Sequence, residues 1–168
     1  MTANDLQACL IKEIELLTND MSLIDKHGRA VKMKGFQQGI PIVPVFGMEY
    51  KGGMDEGQEG KEDDLFPYFI VRINDISYQQ KETDFRNAVS ISIIFAVYDD
   101  DPKLKGYFTL SAILERVVMR FQRDVVLESF YCEKGMDVAF QEDDTIPYFF
   151  GGIEMTWYIP DIEMEEIY

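Results

Sequence analysis

Residues 88–123 read AVSISIIFAVYDDDPKLKGYFTLSAILERVVMRFQR, and the hydrophobic period changes inside this stretch. From Ala88 to Tyr98 the apolar residues alternate. Val89, Ile91, Ile93, Phe95 and Val97 fall on one face, with Ser90 and Ser92 on the other. Period two in β-branched and aromatic residues predicts a strand buried on one side and half covered on the other. Asp99 to Pro102 end it. From Tyr107 to Arg123 the period becomes helical: Leu110, Ile113, Leu114, Val117 and Phe121 make an apolar stripe opposite Glu115, Arg116 and Arg120. Two elements with one apolar face each, joined by a short acidic turn, bury those faces by laying the helix on a sheet.

Upstream, FPYFIVRI (Phe66 to Ile73) reads as a second strand, and residues 3–18 as a helix with Leu6, Leu10, Ile14 and Leu17 on one stripe. Thr2 followed by Asp5 is a start signal for that helix. AVKMKG has the makings of a short strand. IPIVPV, interrupted by Pro41 and Pro44, is at best an edge strand, because proline donates no ladder hydrogen bond. Downstream come LESFYC, MDVAFQ and YFFGGIEMTWYI; in the last, Ile153, Met155, Trp157 and Ile159 alternate with Glu154, Thr156 and Tyr158. The order α-β-β-α-β-β predicts an α+β domain: a mainly antiparallel sheet of four or more strands with both helices on one face. The 168 residues fit a single domain, with a flexible loop over 47–64, where five glycines interleave with acids, and an acidic tail over 161–168.

The formal charge is −15, from 31 acids and 16 bases. Four short runs carry all of it: 55–64, 99–101, 142–144 and 161–166. Elsewhere acids and bases balance. A hydrophobic fraction of 46% excludes disorder of the whole chain, and the acid excess argues against binding phosphate backbones over a broad surface. The start MTANDLQ followed by an amphipathic segment is not a secretory signal, and the apolar stretch from Ile40 to Met48 is far short of the ~20 residues a membrane helix requires. Cys9 and Cys132 lie in no CxxC and read as reduced core thiols of a cytosolic protein.

Catalytic motifs are scarce. His27, the one histidine, sits in DKHGR with no metal or nucleophile motif around it, and reads as a turn or surface residue. GGMDEGQEG lacks the Lys-Ser/Thr ending of a phosphate loop. Asp99, Asp100 and Asp101 begin like a calcium loop, but Lys103 takes a ligand position and the closing glutamate is missing; asparates that cap the next segment explain the run. The aromatics Tyr68, Phe69, Tyr148, Phe149, Phe150 and Trp157 have strand spacing and read as core or interface packing. No catalytic, metal or cofactor site is expected.

Three segments taken together, DLFPYFIVRIND, VSISIIFAVYDDDPKLKGYFTLSAILERV and IPYFFGGIEMTWYIP, resemble tail terminator or minor tail proteins of long, non-contractile-tailed phages and their prophages. The resemblance rests on the order and spacing of the segments and covers roughly residues 64–161. It implies a small non-enzymatic α/β protein. Such a protein forms a hexameric ring on the head-proximal end of the tail tube, stops tube polymerisation and joins the head connector. Its partners would be itself, the tail tube protein and the connector, in the host cytoplasm during assembly and then in the virion tail. Acidity suits a lumen that DNA traverses, because carboxylates repel phosphates. Candidate lumen or assembly residues are Asp55, Glu56, Glu59, Glu62, Asp63, Asp64, Glu142, Asp143 and Asp144. Two other classes compete: an acidic inhibitor that mimics DNA to occupy a nucleic-acid-binding protein, and a hydrolase built on paired carboxylates.

Overall fold

The computed structural model describes residues 1–40, 65–78, 87–103, 105–143 and 145–160. The expectations for IPIVPV, the loop over 47–64 and the tail over 161–168 lie outside the described residues. Chain order is α1 (Ala3–Thr18), β1 (Leu23–Ile24), β2 (Ala30–Val31), β3 (Lys34–Gln37), β4 (Tyr68–Ser77), β5 (Asn87–Tyr98), α2 (Lys105–Arg123), β6 (Val126–Leu127), β7 (Phe130–Phe140) and β8 (Tyr148–Ile159). β1 and β2 form a small hairpin. The other six strands make one sheet in the order β3-β4-β5-β8-β7-β6, antiparallel except where β3 runs parallel to β4. The class is α+β, with two helices among the described residues and a mainly antiparallel sheet.

Local signals account for the helix starts. Thr2 and Asp5 form a reciprocal capping box: the Asp5 N–H donates to Thr2 Oγ1 at 3.3 Å and the Thr2 N–H donates to Asp5 Oδ2 at 2.7 Å. The Thr2 hydrogen bonds hold the Asp5 carboxyl below its ordinary value. α2 begins two residues earlier than its apolar periodicity suggests, after a turn that the aspartates build. Asp99 Oδ1 accepts the Asp101 N–H at 2.9 Å, and Asp101 Oδ1 accepts the Lys103 N–H at 2.8 Å.

The alternating face of β5 is buried. Leu6, Leu10 and Ile14 of α1 share one cluster with Leu110, Ile113, Leu114, Val117 and Phe121 of α2. Val89, Ile91, Ile93 and Phe95 of β5 and Ile153, Met155, Trp157 and Ile159 of β8 complete it. Trp157 is fully buried, with the Phe121 ring edge-on at 5.1 Å and its indole N–H donating to Met155 Sδ at 3.2 Å. The helix axes come close to the strands where side chains are missing: a Cβ on Gly106 would lie 2.4 Å from the Phe149 ring. On the other face of the sheet, Phe66, Tyr68, Ile70 and Ala96 form a second buried cluster with Phe36, Tyr98, Tyr148 and Phe150. The half cover expected for β5 is therefore an aromatic layer at one end, while Ser90 and Ser92 at the other end meet the Asn74 amide.

The structure differs from the sequence reading in two further places. LESFYC holds the turn from β6 into β7, with Leu127 opposite Phe130, and β7 runs on through MDVAFQ as one strand, with Cys132 opposite Trp157 and Met136 opposite Met155. Three residues of β7, Glu133 to Gly135, thus stand opposite the single Thr156 of β8, so EKG at 133–135 bulges out of register and continues the strand. In AVKMKG, only Ala30 and Val31 pair in the hairpin, and the chain turns at 32–33 to place Lys34 to Gln37 beside β4.

Candidate functional site

Of the nine acidic residues singled out, Asp55, Glu56, Glu59, Glu62, Asp63, Asp64 and Asp144 lie outside the described residues. Glu142 and Asp143 are exposed at the turn between β7 and β8. That turn is closed by the Gln141 N–H donating to the Phe150 carbonyl at 3.0 Å and by Thr145 Oγ1 donating to the Tyr148 carbonyl at 2.8 Å. The two acids project from a hairpin tip beside the N-terminal end of α2, where Tyr107 packs on Phe140 with ring centroids 5.2 Å apart. Asp143, Tyr107 and Phe140 line one small hollow. Among the described residues, no three His, Cys, Asp or Glu side chains converge to hold a metal ion, and no helix is long and apolar enough to cross a membrane.

Asp99, Asp100 and Asp101 do not act as a set. Asp99 and Asp101 accept backbone N–H groups, and Asp101 also pairs with Lys105 Nζ at 3.2 Å. The Lys103 N–H, then Lys105, holds the Asp101 carboxyl below its usual value. His27 sits in the β1–β2 turn, where Gly28 has φ +73°. Its backbone N–H donates to Asp25 Oδ1 at 2.9 Å, as does that of Arg29. Both cysteines are free thiols; Cys132 is buried, and burial, with a smaller effect of Glu133, pushes it up to about 12.

One surface feature among the described residues is apolar and was not singled out from the sequence. Phe108 is 66% exposed and Met119 48%, both on the outward side of α2. Beside them, between α2 and β7, lies an open groove of about 470 Å³ lined by Tyr107, Ser111, Val118, Met119, Val138 and Phe140. On the α1 side of the same helix a second groove of about 540 Å³ is lined by Leu17, Ala112, Arg116, Met119, Arg120 and Arg123. Here Arg116 donates to the Leu17 carbonyl and pairs with Asp20, and Arg120 pairs with Glu13, which ties residues of α2 to α1 and the turn after it. The signal for this face was present: Phe108 and Met119 are eleven positions apart, three helical turns, and stand on the side otherwise marked by Glu115.

No protein-family model matches the chain, and no curated protein matches it.

Proposed function

We propose that this protein is a non-catalytic assembly protein of the tail terminator type. In this reading, six copies with their helices on one sheet face close a ring at the head-proximal end of a long, non-contractile tail tube. The ring stops tube growth and presents a surface to the head connector. The observation that supports it is how the three resembling segments fold. Separated by 13 and 28 residues, they supply β4, β5 with α2, and β8, and the three strands are neighbours in the sheet. The resemblance thus covers one contiguous unit rather than three unrelated stretches. Exposed Tyr107, Phe108, Met119, Val138 and Phe140 give this unit apolar surface of the kind self-associating proteins bury.

The acidic runs keep DNA from sticking as it passes, with Glu142 and Asp143 exposed for that purpose. The test uses the full chain and a purified tube protein of a long, non-contractile-tailed phage. Added during tube polymerisation, the protein should bind one tube end and shorten the length distribution seen by electron microscopy. Its mass on ends should correspond to six chains. Tubes of unchanged length with bare ends would sink the proposal.

A further inference from the structure

The two edges of the six-stranded sheet are not alike. At β3 the edge is taken: α1 packs on it, and the outward Gly35 N–H donates to Glu15 at 3.1 Å. At the other edge β6 covers only Phe130 and Tyr131 of β7, and the Val125 carbonyl accepts the Cys132 N–H at 2.7 Å. Beyond the bulge, Met136 to Phe140 pair with β8 on one side, and no described strand lies on the other. The ladder fixes which groups are left over. Gln141 donates its N–H to the Phe150 carbonyl, so in the antiparallel alternation Gln141, Ala139 and Asp137 turn their N–H and C=O groups to β8. Met136, Val138 and Phe140 turn theirs outward. Bulges, charge and proline blunt natural edges, yet between the bulge and the hairpin tip MDVAF has no proline and one charge, Asp137.

A strand joins this edge only within limits. It must be short, because β6 already stands at one end of it. It must set outward groups against outward groups, and the side chains on the helix side, Val138 at 43% exposure and Phe140 at 36%, are matched by apolar neighbours. Met136 to Phe140 of a second copy, run antiparallel and leaving at its own turn after Gln141, meets each limit. Three registers align the outward residues. Centring on Asp137 sets carboxylate on carboxylate, and centring on Ala139 sets Met136 opposite Glu142. Centring on Val138 sets Val138 on Val138, Met136 on Phe140 twice, and Asp137 opposite Ala139. Just outside the ladder this register brings Lys134 across from Glu142 and Glu133 across from Asp143, so the flanking charges cancel. Backbone groups and apolar side chains carry the contact. With β3 occupied by α1, a copy has no second edge to use, so the contact is isologous and closes at two. We propose that the β7 edge pairs antiparallel with β7 of a second copy about a two-fold axis at Val138, joining two six-stranded sheets into one.

This pairing does not rest on the ring reading: the backbone of β7 makes it, and it closes at two chains rather than six. In about 1 M salt, where the like net charges are screened over about 3 Å, sedimentation of the full chain should show a dimer of twice the 19.5 kDa chain mass. Val138→Pro removes an outward N–H and no ladder bond. It should leave ellipticity and Tm near the parent's while weakening the dimer at least about tenfold. Ala139→Pro, whose N–H serves β8, should lower Tm instead. Cysteines in a Cys9→Ser background read the register. Asp137→Cys mixed with Ala139→Cys should cross-link under mild oxidation, because the two positions form a close pair without hydrogen bonds, and either variant alone should cross-link about tenfold less. A monomer at all concentrations, loss of the fold in Val138→Pro, a dimer indifferent to that change, or self-cross-linking as fast as the mixture would overturn the proposal. A six-chain assembly without the mixed cross-link overturns the pairing and leaves the ring. A dimer passing every test with tube length unaffected does the reverse.

Discussion

Replacing Gly35 by alanine tests how closely α1 rides on the edge of the sheet. A Cβ at this position lies 2.4 Å from Cζ and 2.7 Å from Cε2 of Phe69, and 2.8 Å from Cγ2 of Ile11. Unstrained carbon contacts are about 3.5–4.0 Å. The Phe69 ring has nowhere to go: it is fully buried and stacked on Phe95 with centroids 5.7 Å apart. Ile11 sits on α1, whose Glu15 carboxylate accepts the Gly35 N–H at 3.1 Å. Relief therefore moves α1 or β3 by about 1 Å. Overpacking costs about 1–3 kcal/mol, and three simultaneous contacts place this site in the upper half of that range. Alanine recovers about 0.5–1 kcal/mol of backbone entropy. The net loss is about 1–2.5 kcal/mol, or about 2–10 °C in Tm for a chain of this length. Thermal and urea unfolding of Gly35→Ala, Phe69→Leu and the double variant measure it. Leucine lacks the two ring atoms that clash, so the double variant should lose less than the sum of the singles by about 0.5–1.5 kcal/mol. A Gly35→Ala protein as stable as the parent, or strict additivity, would refute the close approach.

Asp25 is buried in the β1–β2 turn. Desolvation raises its carboxyl, but the Arg29 and His27 N–H groups and the Arg29 guanidinium, at 2.7 Å, outweigh this and hold it low. A lowered carboxylate stabilises the fold above its unfolded value of about 3.9 and loses that contribution as pH falls through the folded value. Asp25→Asn should thus lower the urea midpoint at pH 7, with the gap to the parent closing as pH falls below the ordinary carboxylate range; a gap independent of pH would count against it. The thiols should separate by reactivity: at pH 8 a thiol reagent modifies Cys9 slowly and Cys132 only as the protein unfolds, while urea exposes both. Burial, then Glu128, raises Cys9, so a fast reaction that survives Cys9→Ser would contradict the structure. The Glu13–Arg120 pair, each side chain 22% exposed, should show a coupling of about 0.5–1 kcal/mol in a double-mutant cycle of the glutamine variants. A coupling of zero would mean α1 is held by apolar packing alone.

Elements with a sustained period were legible from the chain. α1, β5, the buried stripe of α2 and β8 each repeat one period over seven or more residues, and each appears within a residue or two of its expected bounds. β3 carries no such period: KGFQ is a strand because β4 offers a free edge and Gly35 leaves room for Phe69, which are facts about distant residues. The continuity of β7 through EKG was hidden for the same reason, since its partner β8 keeps the register on either side of the bulge. For the site, summing charge located the acidic runs but not what each carboxylate touches. Phe108 and Met119 were overlooked because the polar side of α2 was read from Glu115, Arg116 and Arg120, of which Arg116 and Arg120 turn out to be tied to α1.

The acidic runs therefore divide by role, and the division is testable. In the run at 99–101 two carboxylates are engaged: Asp99 and Asp101 accept N–H groups that would otherwise be unpaired in the turn leading into α2. Glu142 and Asp143, at an open hairpin tip, hold no such position, and exposed residues away from caps and networks tolerate substitution within about 0.5 kcal/mol. Asp101→Asn should accordingly cost stability, because amide oxygen is a weaker acceptor for the Lys103 N–H and forms no ion pair with Lys105. Glu142→Gln with Asp143→Asn should leave Tm unchanged. On the ring reading it should also raise retention of DNA at low salt, where phosphate repulsion is least screened. Equal destabilisation by both changes would erase the distinction between turn-forming and free acids. Unchanged DNA retention with an intact fold would remove the hairpin tip from any lumen.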